Sequence, residues 1–130
     1  MRGRGGRQHR GQRHGQLGQQ LSRMIEPSVL YLLATGAASH GYQLTEQANQ
    51  LGLAETIIEP AAVYRCLRAL EADGCVVSDW DTTGSGPARR LYKLTEIGGQ
   101  RLSGWAAVIG QRVQALSNFV ELCRQLGPDQ

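Results

Sequence analysis

From Thr95 to about Leu126 the chain has no proline, and Leu102, Ala106, Ile109, Val113, Leu116, Val120 and Cys123 recur at spacings of 4-3-4-3-4-3. Apolar residues averaging one every 3.5 positions draw a seam along a single long helix. Trp105 and Phe119 widen that seam. Thr95 suits an N-cap and Glu96 places an acid in the first turn, where the helix dipole favours it. A seam of three heptads needs more partner surface than the rest of a 130-residue chain offers. The expectation is therefore that residues 96–126 form a helix that meets a copy of itself in a symmetric dimer. The plainer alternative is an amphipathic helix packed inside one subunit. Gly98, Gly99, Gly104 and Gly110 either permit close helix approach or loosen the first turns.

Upstream, three shorter helices are predicted. The first begins at Pro27, a residue tolerated at the first helical position because its missing N–H had no partner there. Val29, Leu30, Leu32 and Leu33 supply its apolar face and Gly36 stops it. The second opens at Gly41, carries Leu44, Ala48 and Leu51 at helical spacing, and closes at Gly52. The third is the most legible. Pro60 follows the acid Glu59, and Val63, Cys66, Leu67 and Leu70 form one stripe. Gly74 then supplies a left-handed stop. The opposite face presents Ala61, Tyr64, Arg65 and Arg68.

After Gly74 the period changes to about two. Cys75–Trp80 reads as a strand and Leu91–Leu94 as its partner, joined by Asp81-Thr82-Thr83-Gly84-Ser85-Gly86-Pro87, which is turn chemistry throughout. Arg89 and Arg90 flank the return strand.

Charge divides the chain. Residues 1–20 carry Arg2, Arg4, Arg7, Arg10 and Arg13, with His9, His14, six glycines, five glutamines and no acid. That leaves 9 of the 14 basic side chains against all 11 acids in the remainder, a net of −2 beside a tail of +5. The tail is too poor in apolar groups to offset its ordering entropy, so residues 1–22 are expected to be a disordered basic arm, with residues 127–130 a disordered end. Such an arm suits polyanions, because each Arg set on a phosphate releases a condensed counterion. A plain solubilising tail is the alternative.

The fold class expected is α+β, mainly helical with a small hairpin: a winged helix-turn-helix over residues 23–95 followed by a long dimerisation helix. In that architecture the third helix enters the major groove and the hairpin lies beside it, on phosphates or the minor groove. Two-fold symmetry would match a palindromic operator.

Here the residues carry a resemblance. Pro27-Ser28-Val29-Leu30-Tyr31-Leu32-Leu33 and Ser39-His40-Gly41-Tyr42-Gln43-Leu44 open like the PadR family of transcriptional regulators. Residues 60–74, from Pro60-Ala61-Ala62-Val63-Tyr64-Arg65 onward, resemble that family's recognition helix. Gly86-Pro87-Ala88-Arg89-Arg90-Leu91-Tyr92-Lys93-Leu94-Thr95-Glu96-Ile97-Gly98 is similar to its wing and the entry to its last helix. The resemblance spans roughly residues 24–126, and the single C-terminal helix resembles the family's short branch. It implies a dimeric repressor that releases double-stranded DNA, an operator in its own promoter region, when a small-molecule effector binds; the cysteine usage, separately, suggests a reducing cytoplasm. Tyr64, Arg65, Arg68, Ala61 and Tyr42 would face DNA from the helices, and Arg89 and Arg90 from the wing. Leu102, Trp105, Ala106, Ile109, Val113, Leu116, Phe119, Val120 and Cys123 would dimerise. Some members hold flat aromatic drugs between paired tryptophans, which makes Trp105 and Ile109 the effector-lining candidates. Trp105 lies about one and a half turns earlier than the Trp those members use.

Other chemistries are not supported. No paired carboxylates, Ser–His–Asp grouping or phosphate loop is present, so no enzyme, catalytic residue or cofactor is expected. Cys66, Cys75 and Cys123 lack zinc-module spacing and, being odd in number, suggest no disulfide framework. No metal site is expected, and His40 reads as a cap or loop hydrogen-bonding residue. No apolar stretch long enough for a membrane span and no secretory signal is read. Two other functions fit the residues: a winged-helix adaptor for another protein, suggested by the slightly acidic body, and an RNA-binding protein led by the Arg/Gly tail.

Overall fold

The computed structural model describes residues 24–128 of the chain. The expected tail, residues 1–22, and the last two residues of the expected C-terminal end lie outside them. In chain order the elements are α1 (Ile25–Thr35), α2 (Gly41–Leu51), α3 (Pro60–Ala72), β1 (Val76–Asp81), β2 (Arg89–Leu94) and α4 (Glu96–Gln125).

α1 starts two residues earlier than the proline suggested. Met24 is the N-cap, in left-handed conformation, and the Ser28 hydroxyl donates 2.7 Å back to the Met24 carbonyl. Pro27 sits inside the first turn, where its lack of an N–H still leaves no bond unmade. Val29, Leu30, Leu32 and Leu33 share one broad face of the helix and all are buried, whereas Tyr31 on the opposite side is 47% exposed. α1 thus turns its expected apolar face into the core. Leu44 and Ala48 of α2, and Val63, Leu67 and Leu70 of α3, close on it. Leu51, expected to join them, is 43% exposed. The α2–α3 connection is held by one amide: Asn49 accepts from the Ile58 N–H at 2.8 Å and donates to the Ile58 carbonyl at 3.1 Å.

The hairpin is antiparallel, with Trp80 opposite Arg90 and Asp81 opposite Arg89. β1 begins one residue later than predicted, and β2 begins two earlier. Arg89 and Arg90 therefore belong to the ladder instead of flanking it. A short edge segment, unforeseen from sequence, adds to β2: His40 bridges Leu91, and the Tyr92 N–H donates to the Ser39 carbonyl at 2.9 Å. The wing is thereby sewn to the start of α2.

α4 begins as expected. The Thr95 hydroxyl oxygen accepts from the Gly98 N–H at 3.1 Å and donates to the Gly74 carbonyl at 2.6 Å. A Cβ at position 98 would collide with the Cys75 carbonyl oxygen, so the turn after α3 can press against α4 only at a glycine. At Gly99, Gly104 and Gly110 a Cβ would meet nothing within 4 Å. Of the expected seam, Leu102, Trp105 and Ile109 are half-buried, and Leu102 and Trp105 pack on the core. Ala106 is exposed, and from Gly110 to Pro128 every residue is exposed, including Val113, Leu116, Phe119, Val120 and Cys123.

Candidate nucleic-acid interface

α3 buries Val63, Leu67 and Leu70 and thereby turns Ala61, Tyr64, Arg65 and Arg68 outward, as the helical period demands. Two depressions flank this face. On one side an open groove of about 580 Å3 is lined by His40, Gly41, Tyr42, Tyr64, Ala88, Arg89 and Arg90. On the other, about 270 Å3 is lined by Ile25, Ile57, Glu59, Ala61 and Arg65 among others. The structure thus gathers Tyr42, Tyr64, Arg89 and Arg90, and sets Ala61 and Arg65 apart from them.

Tyr64 is 38% exposed, and its ring lies across Gly41; a Cβ there would fall 2.8 Å from the phenolic oxygen and closer still to the ring. The side chain both packs the α2–α3 junction and offers its hydroxyl to the groove. Tyr42 is 70% exposed.

Strand alternation separates the wing arginines. Arg90 shares a face with Trp80, Ser78 and the buried Tyr92. Its guanidinium lies 5.1 Å from the Trp80 ring centroid, and its Nε donates to the Ser78 hydroxyl at 3.1 Å. That hydroxyl donates in turn to Glu71 of α3 at 2.7 Å. The chain of contacts holds the hairpin against α3. It also occupies Glu71, which lies three residues after Arg68 on α3. Among the described residues, Arg65, Arg68, Arg89 and Arg90 enter no ion pair. These four cations thus keep their charge available at α3 and the hairpin.

His40 fulfils its expected local role and adds another. Gln43 Oε1 accepts from the His40 N–H at 3.2 Å and contacts His40 Nδ1 at 3.0 Å, while His40 Nε2 lies 3.1 Å from Asp81 Oδ2 at the root of the wing loop. Hydrogen bonds from Thr83, and then from His40, hold the Asp81 carboxyl below its ordinary range. This link joins residues 41 apart, and nothing in the local pattern announces it.

Sequence reasoning also missed a polar junction at the base of α4. Arg101 grips Glu26 with two bonds, Nε to Oε2 at 2.6 Å and Nη2 to Oε1 at 3.1 Å, and reaches Asp73 at the end of α3 at 3.0 Å. Trp105 Nε1 donates 2.7 Å to the same Glu26. These charges hold the guanidinium firmly protonated. Trp105, read as a dimer or effector residue, is thus anchored within its own subunit. Its ring still lines an apolar depression of about 290 Å3 with Pro27, Tyr31, Leu51, Leu53, Leu102, Ala106 and Ile109.

Burial pushes the Cys66 thiol up to about 12, which removes the thiolate a redox or metal role requires. Cys75 is buried and Cys123 exposed. Among the described residues no three His, Cys, Asp or Glu side chains converge on a possible metal position, and no helix is long and apolar enough to cross a membrane.

Three helices with an outward cationic third member, followed at once by a basic two-stranded hairpin, constitute a DNA-binding winged helix-turn-helix. The sequence model described as the transcriptional regulator PadR-like family matches residues 29–104, and the chain belongs to that family. Solved structures agree on the fold. A conserved protein of unknown function, TM0937, described as a potential transcriptional factor, is 28% identical with a TM-score of 0.69, the match covering 79% of this chain and 90% of that one. A PadR-like regulator from Bacillus cereus is 21% identical with a TM-score of 0.65, covering 78% and 96%. Bacillus subtilis PadR, solved in complex with operator DNA, is 24% identical with a TM-score of 0.55, covering 65% and 47%. No curated protein matches the chain.

Proposed function

We propose that this transcription regulator is a cytoplasmic repressor that binds a palindromic operator as a dimer and is released by a small-molecule effector. The observation that carries the reading is the cationic face shared by α3 and the wing, free of internal ion pairs among the described residues. Residues 23–95 form the reading unit and residues 96–126 the dimerisation helix. Arg65 and Arg68, with Ala61 between helix and base edges, lie in the major groove. A bidentate Arg on a guanine discriminates it by about 1–3 kcal/mol. Arg89 and Arg90 meet phosphates, the latter pre-oriented by Trp80 and Ser78. Tyr42 and Tyr64 donate hydroxyls to the backbone at the groove between them. The Bacillus subtilis PadR complex with operator DNA supports duplex DNA as the partner. The exposed half of the α4 seam supports the dimer.

Release follows as a population shift: an effector must bind one dimer geometry better than the other, since equal affinity shifts nothing. The depression beside Trp105 and Ile109 is the candidate effector position. It borders the Glu26–Arg101–Asp73 junction, through which a displaced Trp105 would alter the angle between α4 and α3.

Gel-shift titration against the promoter region of its own gene tests the reading. Operator affinity should exceed that for random duplex by at least roughly a thousandfold. Arg68→Ala should lose about 1–3 kcal/mol at one base position, whereas Arg90→Ala should weaken all duplexes alike. Equal affinity for operator and random duplex would refute it.

A further inference from the structure

Asp81 and Arg89 stand directly opposite each other in the hairpin ladder. Opposed side chains share a face, with Cβ atoms about 4.5–5.5 Å apart, and opposite charges so placed favour pairing. Here they do not pair: among the described residues no ion pair joins Asp81 to Arg89. The acid is engaged elsewhere at both oxygens. Asp81 Oδ1 accepts from the Thr83 N–H at 3.1 Å and from the Thr83 hydroxyl at 2.7 Å. Asp81 Oδ2 lies 3.1 Å from His40 Nε2. A carboxylate only accepts, so that ring nitrogen carries the hydrogen. The second acid on the same face, Asp79, is also taken, by the Trp80 N–H at 2.8 Å.

His40 comes to Asp81 from outside the hairpin. It bridges Leu91, which shares a face of β2 with Arg89 two residues away. The ring therefore crosses β2 to reach an acid on the far strand. Its seat is fixed by bonds of the main chain. The Tyr92 N–H donates to the Ser39 carbonyl at 2.9 Å, and the His40 N–H donates to Gln43 Oε1 at 3.2 Å. Thr83, and then His40, hold the Asp81 carboxyl below its ordinary range, so it is an anion at neutral pH. Released from His40, Oδ2 would face the exposed Arg89 across the ladder. A guanidinium bound there must leave its carboxylate before it can take a phosphate.

We propose that His40 is a positioning residue for DNA binding: by holding Asp81 Oδ2 it keeps the acid off Arg89 and leaves that guanidinium free for a phosphate. The proposal rests on the phosphate contact proposed above for Arg89. It gives His40 and Asp81 a part in affinity although neither need touch the duplex.

The test uses the full chain and fluorescence anisotropy on two duplexes, one from the promoter region of its own gene and one random, at a single salt concentration. His40→Ala should weaken both roughly two- to thirtyfold, the factor set by one exposed ion pair to be broken in each subunit of a dimer. His40→Gln, whose amide can still donate to Asp81, should recover part of that loss. Asp81→Asn should raise the affinity of the His40→Ala chain by a larger factor than it raises that of the parent. In an Arg89→Gln background His40→Ala should change nothing. A His40→Ala loss that survives both backgrounds would mean that His40 merely props the wing, and would overturn the proposal; so would no loss at all. The free protein gives a second reading, by NMR titration of the Asp81 side-chain carboxyl. Arg89→Gln should raise its midpoint more in the His40→Ala chain than in the parent, and equal shifts would overturn the proposal. If Arg89→Gln binds both duplexes as tightly as the parent does, the phosphate contact falls instead, while the titration still decides whether His40 keeps Asp81 from Arg89.

Discussion

Leu102 and Val113 lie three turns apart on α4 and in the same heptad seam. Leu102 is half-buried against α1, while Val113 is 60% exposed. The first half of the helix is fastened by Gly98 at the Cys75 turn, by Arg101 to Glu26 and Asp73, and by the Trp105 indole. In the second half, from Gly110 on, every described residue is exposed. Heptad spacing records that an apolar stripe needs cover, without saying whether the cover comes from the same chain or from another. The glycines draw the same boundary: a side chain is forbidden at 98 and accommodated at 110.

The sharpest way to break this contrast is Leu116→Asp with Phe119→Asp. Both residues are more than half exposed, so the subunit should fold unchanged while the proposed dimer dissociates. Operator affinity should drop by about 100-fold or more, because linking two reading units contributes 10²–10⁴ in avidity. Light scattering and gel shift read the two effects. An unaltered molar mass would place the dimer contact elsewhere. Next, Gly98→Ala should destabilise the subunit by about 1–3 kcal/mol through overpacking. Gly110→Ala should stabilise it by about 0.8–1 kcal/mol as a helix-interior glycine removed, provided no second copy presses there. Thermal melts separate the two, and a destabilising Gly110→Ala would itself mark a close helix crossing. Similarly, Glu26→Ala should cost about 1–3 kcal/mol by stripping charge-assisted bonds from Arg101 and Trp105. Removal of the exposed Glu121, 3.7 Å from Arg124, should cost less than about 0.5 kcal/mol.

Thiol labelling sharpens the comparison further. Cys66 should react slowly because its thiolate is suppressed, and Cys75 because it is buried. Cys123 should react quickly in the Leu116→Asp, Phe119→Asp variant and slowly in the parent chain, where the helix of the proposed dimer partner would cover it. The smallest effect concerns acid. Asp81 is held below its ordinary value of 3.8, so its stabilising link to Thr83 and His40 is present above that pH and is lost as pH falls through the depressed value. Melting temperature measured from about pH 5 downward should decline less steeply for Asp81→Asn, and identical slopes would discount the link.

The helices, their glycine stops and the outward face of α3 were legible because each is written in local period and capping chemistry. Thr95, Gly36, Gly52 and Gly74 behave as their residue types require. Pro27 misled by two positions, since proline is tolerated anywhere in a first turn. The ladder gained Arg89 and Arg90 because hairpin pairing runs as far as twist and turn permit, which apolar alternation alone does not reveal. Wholly illegible were the Ser39–His40 edge segment, the His40–Asp81 link and the Glu26–Arg101–Asp73 junction. Each joins residues distant in sequence, and no periodicity encodes such a meeting. The apolar depression beside Trp105 was half visible: Trp105 and Ile109 were legible on the seam, while Tyr31, Leu51 and Leu53 came from segments whose apolar residues were assigned to the core or not singled out.

The Arg101 junction has a geometric corollary. A thirty-residue rod is about 45 Å long, and it is riveted to the rest of the subunit only near one end. A rotation of about 5° at that rivet swings the far tip by about 4 Å, roughly one base-pair step of B-DNA. A disturbance of one hydrogen bond at the hinge would thus be magnified into a misfit of a whole nucleotide between paired subunits, with no need for any further moving part.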